Sequence, residues 1–451
     1  MDASPDLTQF VRCPACGASP SAGETSLDCA SCGAVYPVHD GIPWLYRDVA
    51  GSRAQWAAKL QRFRTELLAD LDELDAAIER DDLVDSTRER LARQRAGLER
   101  FGEQVMTLLA PFSFEHGEAG AVLPTDRIPS AQHVTSYLDT AYRDWAWGQA
   151  EIDETMALAA PLVGEGFTRA LVLGGGAGRF AWELAKRAPA ATVVQLDLNP
   201  LLTRIGSLAS VGESTPLTEL ARFPLSVEDA VVDQTLEAPS ESANPPIFLL
   251  GDAFAPPFAD ETFDLLVTPW FVDIVPEAFP SLAARLARHL APGGRFVGFG
   301  PLSFERQGPA DRLTPEEVAD VLDASGWEVL QAGTETVRYL HSPHAMPRRN
   351  EEIFAFEARR PEALGDVAPF AFYPEWMTDP RKPIPADPRF ESLRAERIFD
   401  VEILKCIDGR TTIEDLVVIL ASQYGLAEDR CRATVERFFA RWFEDEGGSG
   451  R

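Results

Sequence analysis

One stretch near the middle of the chain limits its fold more than any other. Ala170-Leu171-Val172-Leu173 is a short apolar run with the length of a buried strand, and Gly174-Gly175-Gly176-Ala177-Gly178 follows with no spacer. Arg179-Phe180-Ala181-Trp182-Glu183-Leu184-Ala185 then starts a helix. Strand, glycine turn and helix in that order bring a ligand close to bare backbone at a helix N-terminus. A second apolar run, Thr192-Val193-Val194-Gln195-Leu196, ends at Asp197, 19 residues beyond Gly178. A carboxylate at that point can accept both hydroxyls of a ribose.

The details of the loop choose the ligand. A pyrophosphate-binding loop wants a small residue in the sixth place of its fingerprint for close helix packing, and that place is Arg179. S-adenosylmethionine has no pyrophosphate, and its sulfonium suits an acidic chain. Later segments agree. Gly251-Asp252-Ala253-Phe254 follows the apolar Ile247-Phe248-Leu249-Leu250 and places an acid where many methyltransferases contact the adenine amino group. Phe263–Thr268 reads as a fourth strand, and Leu290-Ala291-Pro292-Gly293-Gly294 reads as a helix stop and turn into a fifth. Residues 327–338 and 352–358 are suited to a terminal antiparallel pair. The expected fold is α/β, with a Rossmann-like class I methyltransferase sheet within residues 131–360. Gly174, Gly176, Gly178, Asp197 and Asp252 are its candidate cofactor-binding residues.

The N-terminus carries different chemistry. Cys13-Pro14-Ala15-Cys16 and Cys29-Ala30-Ser31-Cys32 are separated by twelve residues, with Gly17 and Gly33 just after each pair. Two such knuckles can place four thiolates tetrahedrally around one zinc ion and leave no open coordination position, so the expected metal is structural. With Tyr36-Pro37-Val38-His39-Asp40-Gly41-Ile42-Pro43-Trp44-Leu45, residues 1–48 resemble the zinc-ribbon family that includes the activator subunit of several tRNA and protein methyltransferases. His39 is read as a surface or turn residue, since the thiolates already number four.

Residues 53–110 are read as a helical hairpin. Trp56, Leu60, Phe63, Leu67, Leu71, Leu74 and Ile78 make one stripe, and Leu91, Leu98, Phe101, Val105 and Leu108 make another. Ser86-x-x-Glu89 has the form of a capping box for the second helix. Residues 111–130, with Pro, Gly and Ser, are read as a linker.

Composition bounds the partners. Of 451 residues, 71 are Asp or Glu and 42 are Lys or Arg, a net charge of −29. That balance argues against broad binding to nucleic-acid backbones and against an anionic membrane surface. No run approaches the roughly 18 apolar residues of a membrane span, and the first residues have neither a basic region nor an apolar signal core. The expected location is a reducing cytoplasm.

Four further segments, in order, resemble the carnosine N-methyltransferase family. They are Tyr142-Arg143-Asp144-Trp145, Gly176-Ala177-Gly178-Arg179-Phe180-Ala181-Trp182-Glu183, Phe271-Val272-Asp273 and Gly300-Pro301-Leu302, with Tyr339 heading into the last strand. The resemblance spans about 137–359 and includes a long insertion between Asp197 and Phe248. It implies that Arg143 reaches the cofactor carboxylate, that Asp273 contacts the substrate amine or imidazole, and that Tyr339 walls the pocket. Two positions depart from the family: Glu305 stands where a His is expected, and Glu351 where a second Tyr is expected in ungapped register. The expected acceptor is a nitrogen on a small amine, an imidazole-containing compound or a peptide. Asp273 is the candidate to orient that nitrogen and carry its proton, with Glu305 as second choice. His341 and His344 are read as solvated loop residues.

Residues 391–445 are read as a helical module with a turn at Gly409 and a second helix capped by Thr412-x-x-Asp415. The module resembles the small winged-helix PqqD-like domains that hold leader peptides, and a packing or dimerisation bundle is an equal reading. Cys406 and Cys431 are read as core thiols. Two other functions fit the same chain: a peptide- or protein-modifying methyltransferase guided by its flanking modules, and a non-catalytic adaptor that keeps the methyltransferase fold as a scaffold.

Overall fold

The N-terminal segment of β1 (Ser21–Ala22), β2 (Ser26–Asp28), β3 (Val35–His39) and β4 (Ile42–Leu45) folds as an antiparallel ribbon. A computed structural model describes residues 7–114, 128, 132–304, 308–365, 377, 381–386 and 388–445. The chain divides into two compact units, residues 1–372 and 373–451.

β4 does not stop at the ribbon. All four of its residues are buried, and it runs parallel to β9 (Ile247–Gly251) as the next strand of the main sheet. His39 is the last residue of β3 and packs edge-on against Phe112, with its Nε2 3.0 Å from Arg53 Nη1. It is half-buried and flanks the β3–β4 turn, where His39 pairs with Ile42.

α1 (Val49–Ile78) and α2 (Asp85–Leu109) form the expected hairpin. The capping box at Ser86 does not form. Val84 occupies the cap position with no side-chain bond, while Arg88 donates to the carbonyls of Ile78 and Arg80 and so sets the helix start by tying it to the preceding helix. Most of the predicted linker, 115–127 and 129–130, lies outside the described residues. Its described flanks are packed: Phe112 and Ile128 are buried, and Phe114 meets Trp44.

After α3 (Leu138–Tyr142), residues Arg143–Trp147 form a π-helical turn, and α4 (Gln149–Val163) follows. Gly148 N–H closes the turn onto Arg143 O at 2.8 Å. The alternating elements are then β5 (Arg169–Leu173), α5 (Arg179–Arg187), β6 (Thr192–Asp197) and α6 (Pro200–Ser210). Next come the hairpin β7 (Thr215–Leu220) and β8 (Val231–Leu236), then β9 (Ile247–Gly251), β10 (Phe263–Pro269), α7 (Phe279–Ala287) and β11 (Leu290–Gly300). α8 (Pro315–Ala324), β12 (Glu328–Tyr339) and β13 (Arg349–Arg359) complete the unit.

The main sheet has the order β1-β2-β3-β4-β9-β6-β5-β10-β11-β13-β12. From β4 to β11 the pairing is parallel, and β13 and β12 close it antiparallel. Ala170 to Leu173 and Val193 to Leu196 are all buried, which is why these strands read as continuous apolar runs rather than alternating ones. The insertion recognised in the sequence is the β7–β8 hairpin, a separate two-stranded sheet. It packs on α2, where a Cβ at Gly97 would meet Val231.

In the second unit, helices Pro388–Cys406, Ile413–Tyr424 and Glu428–Asp445 enclose a small core of Ile403, Leu416, Val417, Leu420, Cys431 and Val435. The Thr412–Asp415 capping box forms as expected. No strand that would make a wing lies among the described residues. No helix among them is long and apolar enough to cross a membrane.

Candidate functional site

The chain leaves β5 in one direction toward β6 and β9, and returns on the other side through β10 and β11. Where neighbouring strands diverge in this way, a crevice opens beyond their C-terminal ends. A cavity of about 680 Å³ occupies that crevice and is large enough for a cofactor together with an acceptor. Its walls come from the residues that follow each parallel strand: Gly174–Gly176 after β5, Asp197–Asn199 after β6, Asp252–Phe254 after β9, Trp270–Phe271 and Asp273 after β10, and Pro301 and Ser303 after β11.

Arg143, Gly174, Gly176, Asp197, Asp252, Asp273 and Tyr339, predicted from the sequence, all line this one cavity. Gly178 is not among the lining residues. It caps α5 at φ +89°, and a Cβ there would lie 2.5 Å from Phe248. Its role is the sharp turn itself. Glu305 lies outside the described residues. His341 and His344 do not line the cavity; their rings meet Arg349 O at 2.8 Å and Asp229 Oδ1 at 2.9 Å.

On the glycine-loop side, Gly174 and Gly176 have φ of +68° and +56°. A Cβ at Gly174 would sit 2.6 Å from the Phe271 ring, so the backbone approach requires glycine. Asp197 Oδ2 accepts from Gly176 N–H and Oδ1 from Asn199 N–H, both at 2.9 Å. Burial pushes this carboxyl up to about 6, against the pull of the Asn199, Gly176 and Leu198 amides. Asp252 Oδ1 accepts from Phe254 N–H at 2.8 Å.

Arg143 stands on the π turn, a feature that often marks functional sites. Its Nε and Nη2 both donate to Asp144 Oδ1, at 2.9 and 2.7 Å. Burial works hardest against its charge, but Asp144, Tyr339 and Glu151 together hold the guanidinium above its ordinary value. Arg179, the residue that argued against pyrophosphate, points away from the loop to brace this turn. It donates to Asp144 O at 2.5 Å and to Gln149 Oε1 at 2.7 Å, and it lies over the Trp145 and Trp182 rings. Trp145 Nε1 in turn donates to Ala177 O at 2.7 Å.

The same cavity is also lined by Asp273, Trp270, Phe299, Tyr339, Arg349 and Glu351. Asp273 is buried and accepts from Ser303 N–H at 3.2 Å. Tyr339 lies under two guanidiniums, Arg143 at 5.6 Å and Arg349 at 4.4 Å from its ring centre, and burial raises its phenol. Glu351 accepts from Trp270 Nε1 at 2.9 Å and pairs with Arg349 at 3.0 Å. The departure at Glu351 therefore puts a carboxylate at the cavity wall. Tyr137 and Trp270, which line the cavity, hold positive φ without being glycine.

Sequence reasoning missed Tyr137, Asn199, Trp270 and Arg349. Asn199 and Trp270 carried a usable signal: each stands one or two residues beyond the end of a parallel strand.

The four N-terminal thiols are unbridged, and their sulfurs lie within 4.8 Å of one another. Cys13 and Cys32 are 3.6 Å apart, and Cys16 and Cys29 are 3.5 Å apart. A tetrahedral zinc site with ordinary Zn–S bonds has sulfur–sulfur edges of about 3.8 Å, so the arrangement fits the metal. The Tyr36 hydroxyl is 3.0 Å from Cys13 Sγ, the kind of outer contact that orients a thiolate ligand.

Residues 171–298 match the family model described as "Methyltransferase domain", and residues 401–446 match that of coenzyme PQQ synthesis protein D (PqqD). Among curated proteins nothing matches. Similar solved structures include a SAM-dependent methyltransferase from Thermotoga maritima (15% identity, 50% of this chain, 95% of that chain, TM-score 0.30). Another is a SAM-dependent methyltransferase from Aquifex aeolicus (14% identity, 50% of this chain, 96% of that chain, TM-score 0.31). A third is the YcgJ protein from Bacillus subtilis (13% identity, 48% of this chain, 100% of that chain, TM-score 0.30). The first unit contains a methyltransferase domain by its match at 171–298, and the second contains a PqqD-like module.

Proposed function

We propose that this protein is an S-adenosylmethionine-dependent N-methyltransferase acting on a small amine, an imidazole-containing compound or a peptide. The observation that carries the reading is the single cavity lined at once by Gly174, Gly176, Asp197, Asp252 and Arg143 and by Asp273 and Tyr339. When bound, the cofactor supplies an electrophilic methyl group for in-line displacement.

The chain's own residues then have distinct tasks. The bare backbone at Gly174–Gly176 admits the methionine portion, Arg143 holds its carboxylate, Asp197 accepts from the ribose hydroxyls and Asp252 accepts from the adenine amine. Asp273 orients the acceptor nitrogen and takes its proton, since only an uncharged nitrogen is a nucleophile. Trp270, Phe299 and Tyr339 exclude water around it. Alignment of this kind supplies about 7–11 kcal/mol of a bimolecular barrier. The four cysteines hold a structural zinc ion, and the protein works in the cytoplasm.

The PqqD-like match at 401–446 favours a second reading within the same chemistry, in which the acceptor is a residue of a peptide captured by that module. Calorimetry with S-adenosylmethionine tests the enzyme reading, and absence of binding at millimolar cofactor would leave only the adaptor. Mass-shift screening of amines, imidazoles and peptides then identifies the acceptor.

A further inference from the structure

The cofactor side of the cavity is gripped from outside by the N-terminal ribbon. The lining loop Asp252–Phe254 has ribbon backbone on both flanks. On one flank β4 runs beside β9 with Leu45 opposite Gly251, and a Cβ at Gly251 would stand 2.9 Å from Leu45 O. On the other flank Arg12 N–H donates to Pro257 O at 2.8 Å and Ala259 N–H donates to Phe10 O at 2.9 Å, with Val11 bridging Phe258. Arg12 immediately precedes Cys13. A third tie comes from Tyr46, just past β4 and fully buried, whose hydroxyl donates to Leu198 O at 2.9 Å. Leu198 follows Asp197 directly, and both line the cavity. A fourth is the Arg204–Asp40 pair at 2.7 Å, which fastens the β3–β4 turn to the helix begun by the cavity residue Asn199.

We propose that the four-cysteine ribbon is part of the cofactor site. Metal binding at Cys13, Cys16, Cys29 and Cys32 and S-adenosylmethionine binding in the cavity reinforce each other, with Tyr46 as a positioning residue. The proposal rests on the cofactor reading above. A segment of this size has too little apolar core to hold its shape alone, so its order depends on the metal and on docking. Without the metal, the ties to Gly251, Pro257, Ala259 and Leu198 loosen together. The loop at Asp252 and the turn after Asp197 must then be ordered at the expense of cofactor affinity. Coupling of this kind is reciprocal.

The test is calorimetry of S-adenosylmethionine binding to the full chain in three forms: zinc-loaded wild type, chelator-stripped wild type and zinc-loaded Tyr46→Phe. Stripping should raise the cofactor Kd by at least about tenfold, and saturating cofactor should slow zinc loss to a chelator by a comparable factor. Tyr46→Phe should raise the cofactor Kd about fivefold while zinc content and the acceptor KM stay unchanged, a split that a merely structural role would not produce. An unchanged Kd in a stripped chain that keeps its circular dichroism overturns the proposal. If stripping unfolds the chain, an unchanged Kd in Tyr46→Phe overturns it instead. Failure of the zinc-loaded wild type to bind cofactor at all marks a different failure, that of the enzyme reading, and the coupling falls with it.

Discussion

Arg143 commits two of its nitrogens, Nε and Nη2, to a single oxygen of its chain neighbour Asp144. Asp144 is buried, and its backbone carbonyl is held by Arg179. The guanidinium at the cavity wall is thus set in direction by a carboxylate that is itself fixed. In the proposed site, Arg143→Ala removes a charge-assisted contact to the cofactor, and Asp144→Asn removes the group that aims it. Cofactor Kd should rise about 10- to 100-fold in the first variant and less in the second. Equal Kd values in both variants and wild type, by calorimetry, would sink the assignment of Arg143.

The raised Asp197 carboxyl predicts two opposite pH effects. Its value of about 6 in the folded chain lies above the ordinary 3.8, so it binds its proton more tightly folded than unfolded. Its contribution to stability is therefore present below 3.8 and lost as pH rises through about 6. Cofactor affinity runs the other way, because ribose hydroxyls need the ionised acceptor. Binding should fall about tenfold for each pH unit below 6 and level off above it. Asp197→Asn should flatten that profile and weaken binding throughout. A wild-type profile flat between pH 5 and 8 removes Asp197 from the ribose.

Much of this site was legible because buried parallel strands are written as unbroken apolar runs, and their C-terminal ends are where ligands bind. Leu173 followed by three glycines, and Leu196 followed by Asp197, each announce a strand end with chemistry on it. The ribbon's docking was not legible. Ile42–Leu45 looks like the end of a small autonomous module, and nothing in its own pattern states that its partner is β9, some two hundred residues away. The π turn was hidden for a related reason. Arg179 braces it through Asp144 O and Gln149, a tertiary contact that the sequence does not state. The start of α2 was misread because Arg88 bonds to Ile78 and Arg80, a tertiary link that overrides the local capping preference of Ser86.

Asp273 should separate binding from turnover. It lines the cavity after β10 and is buried against Ser303 N–H. Asp273→Asn keeps the shape and removes the base. Turnover of the acceptor should drop about 100-fold or more, with cofactor Kd unchanged. The check is a methyl-transfer assay with any acceptor found by mass-shift screening, run alongside calorimetry. Normal turnover in this variant would transfer the proton-accepting role to another cavity acid, and Glu351 is the one with its side chain already placed there.

Glu219 gives a prediction about the insertion. This buried carboxylate, on β7, accepts from Trp147 Nε1 at 3.1 Å, Gln234 Nε2 at 2.8 Å and Ser342 Oγ at 3.0 Å. It thereby joins three segments: the hairpin, the end of the π turn that carries Arg143, and the β12–β13 connection between Tyr339 and Arg349. The same connection is held by Glu151, which accepts from the amides of Leu340 and His341 at 2.9 and 2.6 Å. Pairing of Leu225 with His344 and of Met346 with Phe223 adds to the clasp. Glu219→Ala leaves three donors without their acceptor in a buried place and should cost about 2–4 kcal/mol of stability. Glu219→Gln keeps one acceptor oxygen and should cost less. If the hairpin serves the site as well as the fold, Glu219→Ala should also raise the acceptor KM more than the cofactor Kd, because the loosened connection carries Tyr339 and Arg349. Thermal unfolding and the two binding constants are measured on the same preparation. Stability within about 0.5 kcal/mol of wild type, the range of an ordinary surface substitution, would show that the insertion is not fastened through Glu219.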